Sequence, residues 1–268
     1  MLPRLVEIGP FTLYSFGLMV ILGFFAGTYL ASRLARERGL DGDAFMDGAV
    51  VMLFASVAGA RLLFVALNWK EYAGHPLDVA ALWRGGMSFH GGLIAGVGAG
   101  LLVMRWRKLP VLAMADAAAP GLALGYAIGR VGCLLNGCCY GGPTHLPWGM
   151  HFPDANPALL HHPAQIYASV INLGIVAALV HAYRKPHRVG QILALYLGAY
   201  SVYRFGIEAL RKGVTAQVLA FGLTEAQVFS LFVIAAAAAW WLWLQRCSAP
   251  APEAAMDGVP PQVVRSSA

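Results

Sequence analysis

A chain of 268 residues that is 59% hydrophobic and only 12% charged lacks the composition of a soluble globular domain, which is about half apolar and a quarter charged. Its mean hydropathy of +0.63 is more than one soluble core hides. The net charge of +6 comes with no nucleic-acid-binding motif, so it points to membrane topology and contact with anionic lipid.

A membrane helix needs about 20 mostly apolar residues, and seven stretches meet that measure. The expected fold is therefore an all-α integral membrane protein with about seven transmembrane helices. The first stretch, 11–31, has only Arg4 before it and runs into Arg33, Arg36 and Arg38 without a cleavage site, so it is expected to stay uncleaved. The second, 44–67, contains Arg61. The third, 87–104, opens in GGMSFHGG, where glycine pairs flank His90 and free the backbone for tight turns or close approach to a ligand. The fourth, 111–130, ends at Arg130, and the signature GRVGCLLNGCCYGG follows at 129–142. The fifth, 164–183, the sixth, 189–208, and the seventh, 223–244, complete the set. Beyond Arg246 the text turns rich in Pro, Ala and Ser. Residues 1–246 then form one membrane domain and 247–268 a disordered cytoplasmic tail.

Every second loop is basic. Arg33, Arg36 and Arg38 follow the first span, Arg105, Arg107 and Lys108 the third, Arg184, Lys185 and Arg188 the fifth, and Arg246 the last. These loops are expected in the cytoplasm, with the N-terminus outside and the C-terminus inside. The loop from 131 to 163 contains no Lys or Arg. Gly92, Gly96 and Gly100, and likewise Gly121, Gly125 and Gly129, recur every four residues. That spacing lets helix backbones approach closely in lipid and is expected to bring the third and fourth spans together.

Ionisable groups inside a membrane cost about 2.5–3.5 kcal/mol each on insertion scales, so each calls for a partner or a purpose. With the stated topology, Arg61, His90, Arg130 and Arg204 come from four helices to one outer depth. Tyr200, Arg204, Glu208 and Arg211 share one helix face, where Glu208 can pair with either arginine. Two arginines facing each other at one leaflet suit a phosphate, whose oxygens match guanidinium in a bidentate way. His90, at that depth, is a candidate base.

The blocks WRGGMSFHGGL (83–93), GRVGCLLNGCCYG (129–141), HPAQIY (162–167), YSVYRFGIEALR (200–211) and LTEAQVFS (223–230), in that order, resemble the prolipoprotein diacylglyceryl transferase family. The resemblance covers about residues 9 to 245. It implies an enzyme of the bacterial inner membrane, facing the periplasm. This enzyme passes the diacylglyceryl group of phosphatidylglycerol to the lipobox cysteine thiol of a prolipoprotein and releases glycerol phosphate. The family's signature arginine, which binds phosphatidylglycerol, falls on Arg130 and its essential histidine on His90. The later arginine and glutamate fall on Arg204 and Glu208. The tyrosine falls on Tyr200 and the closing glycine on Gly141.

His90, Arg130, Arg204 and Glu208 are thus the expected catalytic residues, with either His90 or Glu208 as the base. Arg61, Gly91, Gly92, Asn136, Gly141 and Tyr200 join Arg130 as expected substrate contacts. No metal, nucleotide or redox cofactor is expected, and the chain is expected to act as a monomer.

The sequence departs from the better-known signature GRLGNFINGELWG, in which Cys133 stands for an asparagine and Cys138 for a glutamate. Phe16 stands where a tyrosine is expected, with Tyr14 two residues earlier. The outer loop is an oxidising compartment, so a membrane thiol-disulfide oxidoreductase is one alternative; a non-catalytic lipid-binding relative is another. The cysteines are read as structural, with a candidate bridge from Cys133 to Cys138 or Cys139.

Overall fold

The computed structural model describes residues 1–8, 11–72, 74, 76–81, 85–211, 218 and 222–247. Trp83 and Arg84, at the start of the first resembling block, lie outside these, as does the expected tail from residue 248 onward.

A short antiparallel hairpin, β1 (Arg4–Ile8) and β2 (Phe11–Tyr14), precedes the helices. The first span therefore starts at Ser15, four residues later than hydropathy alone suggests. The long helices are α1 (Ser15–Glu37), α2 (Gly42–Leu67), α4 (Phe89–Trp106), α5 (Val111–Asn136), α6 (Ala164–Arg184), α7 (Gln191–Ala209) and α8 (Glu225–Cys247). A one-turn helix, α3 (Trp69–Tyr72), and a 3-10 turn (Pro76–Ala80) lie between α2 and α4.

Among the described residues, six helices are long and apolar enough to cross a membrane: all the long ones except α7. Helix α7 stands where the sixth span is expected, but its apolar run is interrupted by Arg204 and Glu208. The outer faces are apolar, with Phe54 69%, Leu102 71% and Phe232 73% exposed. Such faces suit lipid and not water. This is the architecture of a helical integral membrane protein.

The glycine stripes are used, but not as expected. Helix α4 packs on α2: a Cβ on Gly92 would come within 3.2 Å of the Ser56 carbonyl oxygen, and one on Gly100 within 2.6 Å of the Met52 sulfur. Helix α5 packs instead on α1, where a Cβ on Gly23 would lie 2.7 Å from the Gly125 carbonyl oxygen and Gly27 abuts Gly121. Helices α4 and α5 barely touch. Gly129 faces open space. A small-residue stripe specifies close approach. Its partner is whichever helix carries a matching stripe, here Gly23 and Gly27 for α5, and Ser56 with Gly59 for α4.

The basic ends are tied together. Arg107 pairs with Asp47 at 3.0 Å, linking the end of α4 to the start of α2. Arg184 reaches Glu37 of α1 at 3.1 Å. Arg188 donates to the Leu244 carbonyl of α8 at 2.9 Å. The four basic segments therefore share one end of the bundle, and the outer residues singled out by the sequence share the other.

Candidate active site

Two groups of side chains occupy that other end. The first is built on α2 and α4. Arg61 is buried, six residues before the end of α2. Its Nε donates to the Val79 carbonyl at 2.9 Å and its Nη2 to the Asp78 carbonyl at 2.6 Å. Its Nη1 donates to the carbonyls of Gly85 at 2.5 Å and Gly86 at 2.9 Å. Both glycines have left-handed φ, +76° and +78°, a conformation that bulkier residues adopt only at a cost, and this turns their carbonyls onto the guanidinium. The loop is also pinned by the Ser88 N–H, which donates to the Ala60 carbonyl at 2.9 Å.

Helix α4 consequently begins deep, beside Ala60. His90, in its first turn, lies level with Arg61; it is exposed, its ring edge-on to Phe89 at 5.8 Å. Gly91 is buried against Gly59 and Leu63. An open groove of ≈ 500 Å³ lies between α2 and the start of α4, lined by Ser56, Ala60, Met87, Phe89, Gly92 and Leu93 among others but not by His90.

The second group joins α5 to α7. Helix α5 does not stop at Arg130 but continues six residues to Asn136, which sets Arg130 about 9 Å inside the helix end. Arg204 lies five residues before the end of α7, a matching depth. The Arg130 guanidinium covers the Tyr126 ring at 5.8 Å. Tyr126 in turn meets Tyr200 edge-on at 5.2 Å, and its hydroxyl lies 3.2 Å from that of Tyr203. The Arg130 Nε is buried with no hydrogen-bond partner among the described residues. Glu208, 3% exposed, accepts from Arg204 one turn earlier and from Arg211 at 3.3 Å.

The turn after α5 is held from several sides. Gly137 takes φ +79°, and the Cys138 N–H donates to the Cys133 carbonyl at 3.1 Å, the 6→1 bond of a Schellman ending. The Gly141 N–H donates to the His162 carbonyl at 2.9 Å, and the Gly142 N–H to the Leu210 carbonyl of the α7 end at 2.7 Å. A Cβ on Gly141 would sit 2.9 Å from that of His162 and 3.0 Å from the Leu210 oxygen. This glycine therefore allows three segments to converge.

Buried Gln165 donates to the Cys138 carbonyl at 2.6 Å, and the Asn136 amide reaches the Cys138 thiol. Cys133, Cys138 and Cys139 are free thiols. A hydrogen bond from Cys133, with Arg130 and Arg211 nearby, holds the Cys139 thiol below the usual range. Burial pushes the Cys138 thiol up.

Tyr126, Tyr203 and Gln165 were not among the sequence candidates. Tyr126 precedes Arg130 by four residues, a spacing that places both on one helix face. A Cβ on Gly132 would lie 3.4 Å from Phe16, while Tyr14 is 52% exposed.

A multi-span helical membrane protein with an unpartnered, buried guanidinium Nε near one end of its bundle fits the class of lipid-handling membrane enzymes. A family model described as prolipoprotein diacylglyceryl transferase matches residues 3–243. A phosphatidylglycerol–prolipoprotein diacylglyceryl transferase of Gloeobacter violaceus is 39% identical over 90% of this chain and 92% of its own length. Its counterpart in Synechococcus elongatus is 35% identical, covering 90% of this chain and 87% of its own, and one from a Nostoc species is 35% identical over 94% and 92%. The chain belongs to the prolipoprotein diacylglyceryl transferase family.

Proposed function

We propose that this protein transfers the diacylglyceryl group of phosphatidylglycerol to the lipobox cysteine thiol of a prolipoprotein. The observation that carries the reading is the half-buried Arg130, whose buried Nε finds no acceptor among the described residues. A phosphate oxygen supplies one, and guanidinium and phosphate match geometrically. Arg204 is the second positive group at that depth.

In the reaction His90 takes the acceptor thiol's proton, and the thiolate attacks the glyceryl carbon. The carbon–oxygen bond to phosphate breaks, and its electron pair leaves on the phosphate as glycerol phosphate. Arg130 and Arg204 stabilise the charge that develops there. Of the two candidate bases, His90 is favoured because it is exposed, whereas Glu208 is engaged by two guanidinium groups. Glu208 then positions Arg204. Arg61, Gly91, Gly92 and Gly141 shape the site through packing, while Tyr200 and Asn136 border it.

In this reading α7 is a seventh crossing. Arginine-rich ends favour the cytoplasm, which supports a site that faces the periplasm from the inner membrane. The protein works as a monomer.

The test is purified protein in phosphatidylglycerol-containing detergent with a lipobox peptide. The expected products are a thioether-linked peptide and glycerol phosphate in equal amounts. Folded protein that yields neither, while a characterised relative yields both, overturns the reading.

A further inference from the structure

The three thiols of the signature turn have no part in the transfer proposed above. Cys133 lies in the last turn of α5, and the Schellman closure at Gly137 folds the chain back across that turn. Cys139 takes φ 66°, a left-handed conformation that non-glycine residues seldom adopt. The outcome is that the three Sγ atoms all lie within 4.8 Å of one another. Two thiolates on one tetrahedral ion, each bonded at about 2.3 Å, stand roughly 3.8 Å apart. The cluster would therefore close onto an ion with shifts of about 1 Å or less.

We propose that Cys133, Cys138 and Cys139 form a three-thiolate site for one thiophilic d10 cation, of the zinc(II) or copper(I) class. Soft thiolates select these ions over magnesium or calcium. Three thiolates outweigh either ion's charge, and the excess is met locally: Arg130 Nη1 lies 3.6 Å from Cys133 Sγ, and Arg211 acts on Cys139. The role is architectural. The ion ties the last turn of α5 to the strand of chain that docks on α6 and α7, fixing the neighbour that Arg130 touches. A single disulfide would use two of the thiols and leave the third over; a Cys138–Cys139 bond would strain the backbone. The site stands independently of the transferase reading.

The test uses the full-length chain purified in detergent under reducing conditions, supplied with zinc(II) alone, copper(I) alone or cobalt(II) as a spectroscopic probe. One equivalent of zinc or copper per chain is expected, with a thiolate-to-cobalt charge-transfer band. Cys247→Ser should keep this binding, and each of Cys133→Ser, Cys138→Ser and Cys139→Ser should weaken it about a hundredfold or more. Should the variants fold poorly, the unaltered chain still reports, because the ion should shield three of its four cysteines from maleimide.

Folded wild type that retains no ion and leaves all its cysteines open to maleimide sinks the proposal. So does an ion kept by the triple serine variant, or a bridge from Cys133 found by non-reducing mass spectrometry. Thioether formation is scored separately on the same preparations. Full transfer without an ion removes only the metal site; ion binding without transfer removes only the transferase reading.

Discussion

The hydroxyls of Tyr126 and Tyr203 lie 3.2 Å apart, and through them the helix that carries Arg130 is fastened to the helix that carries Arg204. Tyr126 also supplies the ring under the Arg130 guanidinium, 5.8 Å away. One aromatic residue thus orients the first arginine and anchors the element bearing the second. Preorganisation of this kind lets a charged pair meet a developing charge without rearranging.

Arg130→Lys keeps the charge but loses the planar fork and the face-on contact with Tyr126. Its turnover should fall by more than tenfold, a barrier increase above about 1.4 kcal/mol, with the protein still folded. Tyr126→Phe retains the ring and should cost less than Tyr126→Leu. Steady-state assays beside thermal melts check both, and near-normal turnover by Arg130→Ala would rule out the phosphate role.

Arg61→Met should act on stability. It strands four backbone carbonyls that now accept from the guanidinium, and an unsatisfied buried acceptor costs about 1–3 kcal/mol. The melting temperature in detergent should drop, and limited proteolysis between α2 and α4 should speed up. An unchanged melt with weakened phosphatidylglycerol binding would instead make Arg61 a direct lipid contact.

Glu208→Ala should destabilise the protein more than Arg204→Ala. Losing Glu208 leaves two guanidinium groups facing each other, and breaking a buried pair costs about 3–5 kcal/mol. That figure is reduced here because the Arg204 side chain is 24% exposed. Losing Arg204 leaves Glu208 still paired with Arg211 at 3.3 Å. Paired melting curves decide the order.

Gly23→Ala places a methyl group 2.7 Å from the Gly125 carbonyl oxygen. Overpacking of this sort costs about 1–3 kcal/mol. Gly98→Ala, where nothing lies within 4 Å, should be neutral or slightly stabilising. Equal effects from the two would mean that α1 and α5 are not in this contact in the membrane.

A cytoplasm-active reporter fused after Arg246 should be active, and the same reporter placed within 143–160 should be silent. The opposite pattern would turn Arg130 and His90 toward the cytoplasmic leaflet and remove the periplasmic assignment.

Much of this architecture is legible in the sequence, because lipid imposes a simple grammar. An apolar run of about 20 residues has few fates other than a crossing helix, and arginines gather where positive charge stays behind. The six apolar helices, the alternating basic loops and the common depth of Arg61, Arg130 and Arg204 follow from local composition. Partner choice does not, because a stripe of small residues fits any complementary stripe. Only the folded chain shows Gly125 against Gly23 and Gly92 against Ser56 in place of the two stripes against each other. The same holds for Arg61: its depth is written in α2, but the carbonyls of Gly85 and Gly86 come to it only when their loop folds back. Cys133 and Cys139, six residues apart and with no metal-site spacing, meet because a left-handed Gly137 reverses the chain. Local sequence dictates what each segment is; contacts between segments distant in the chain decide what each side chain faces.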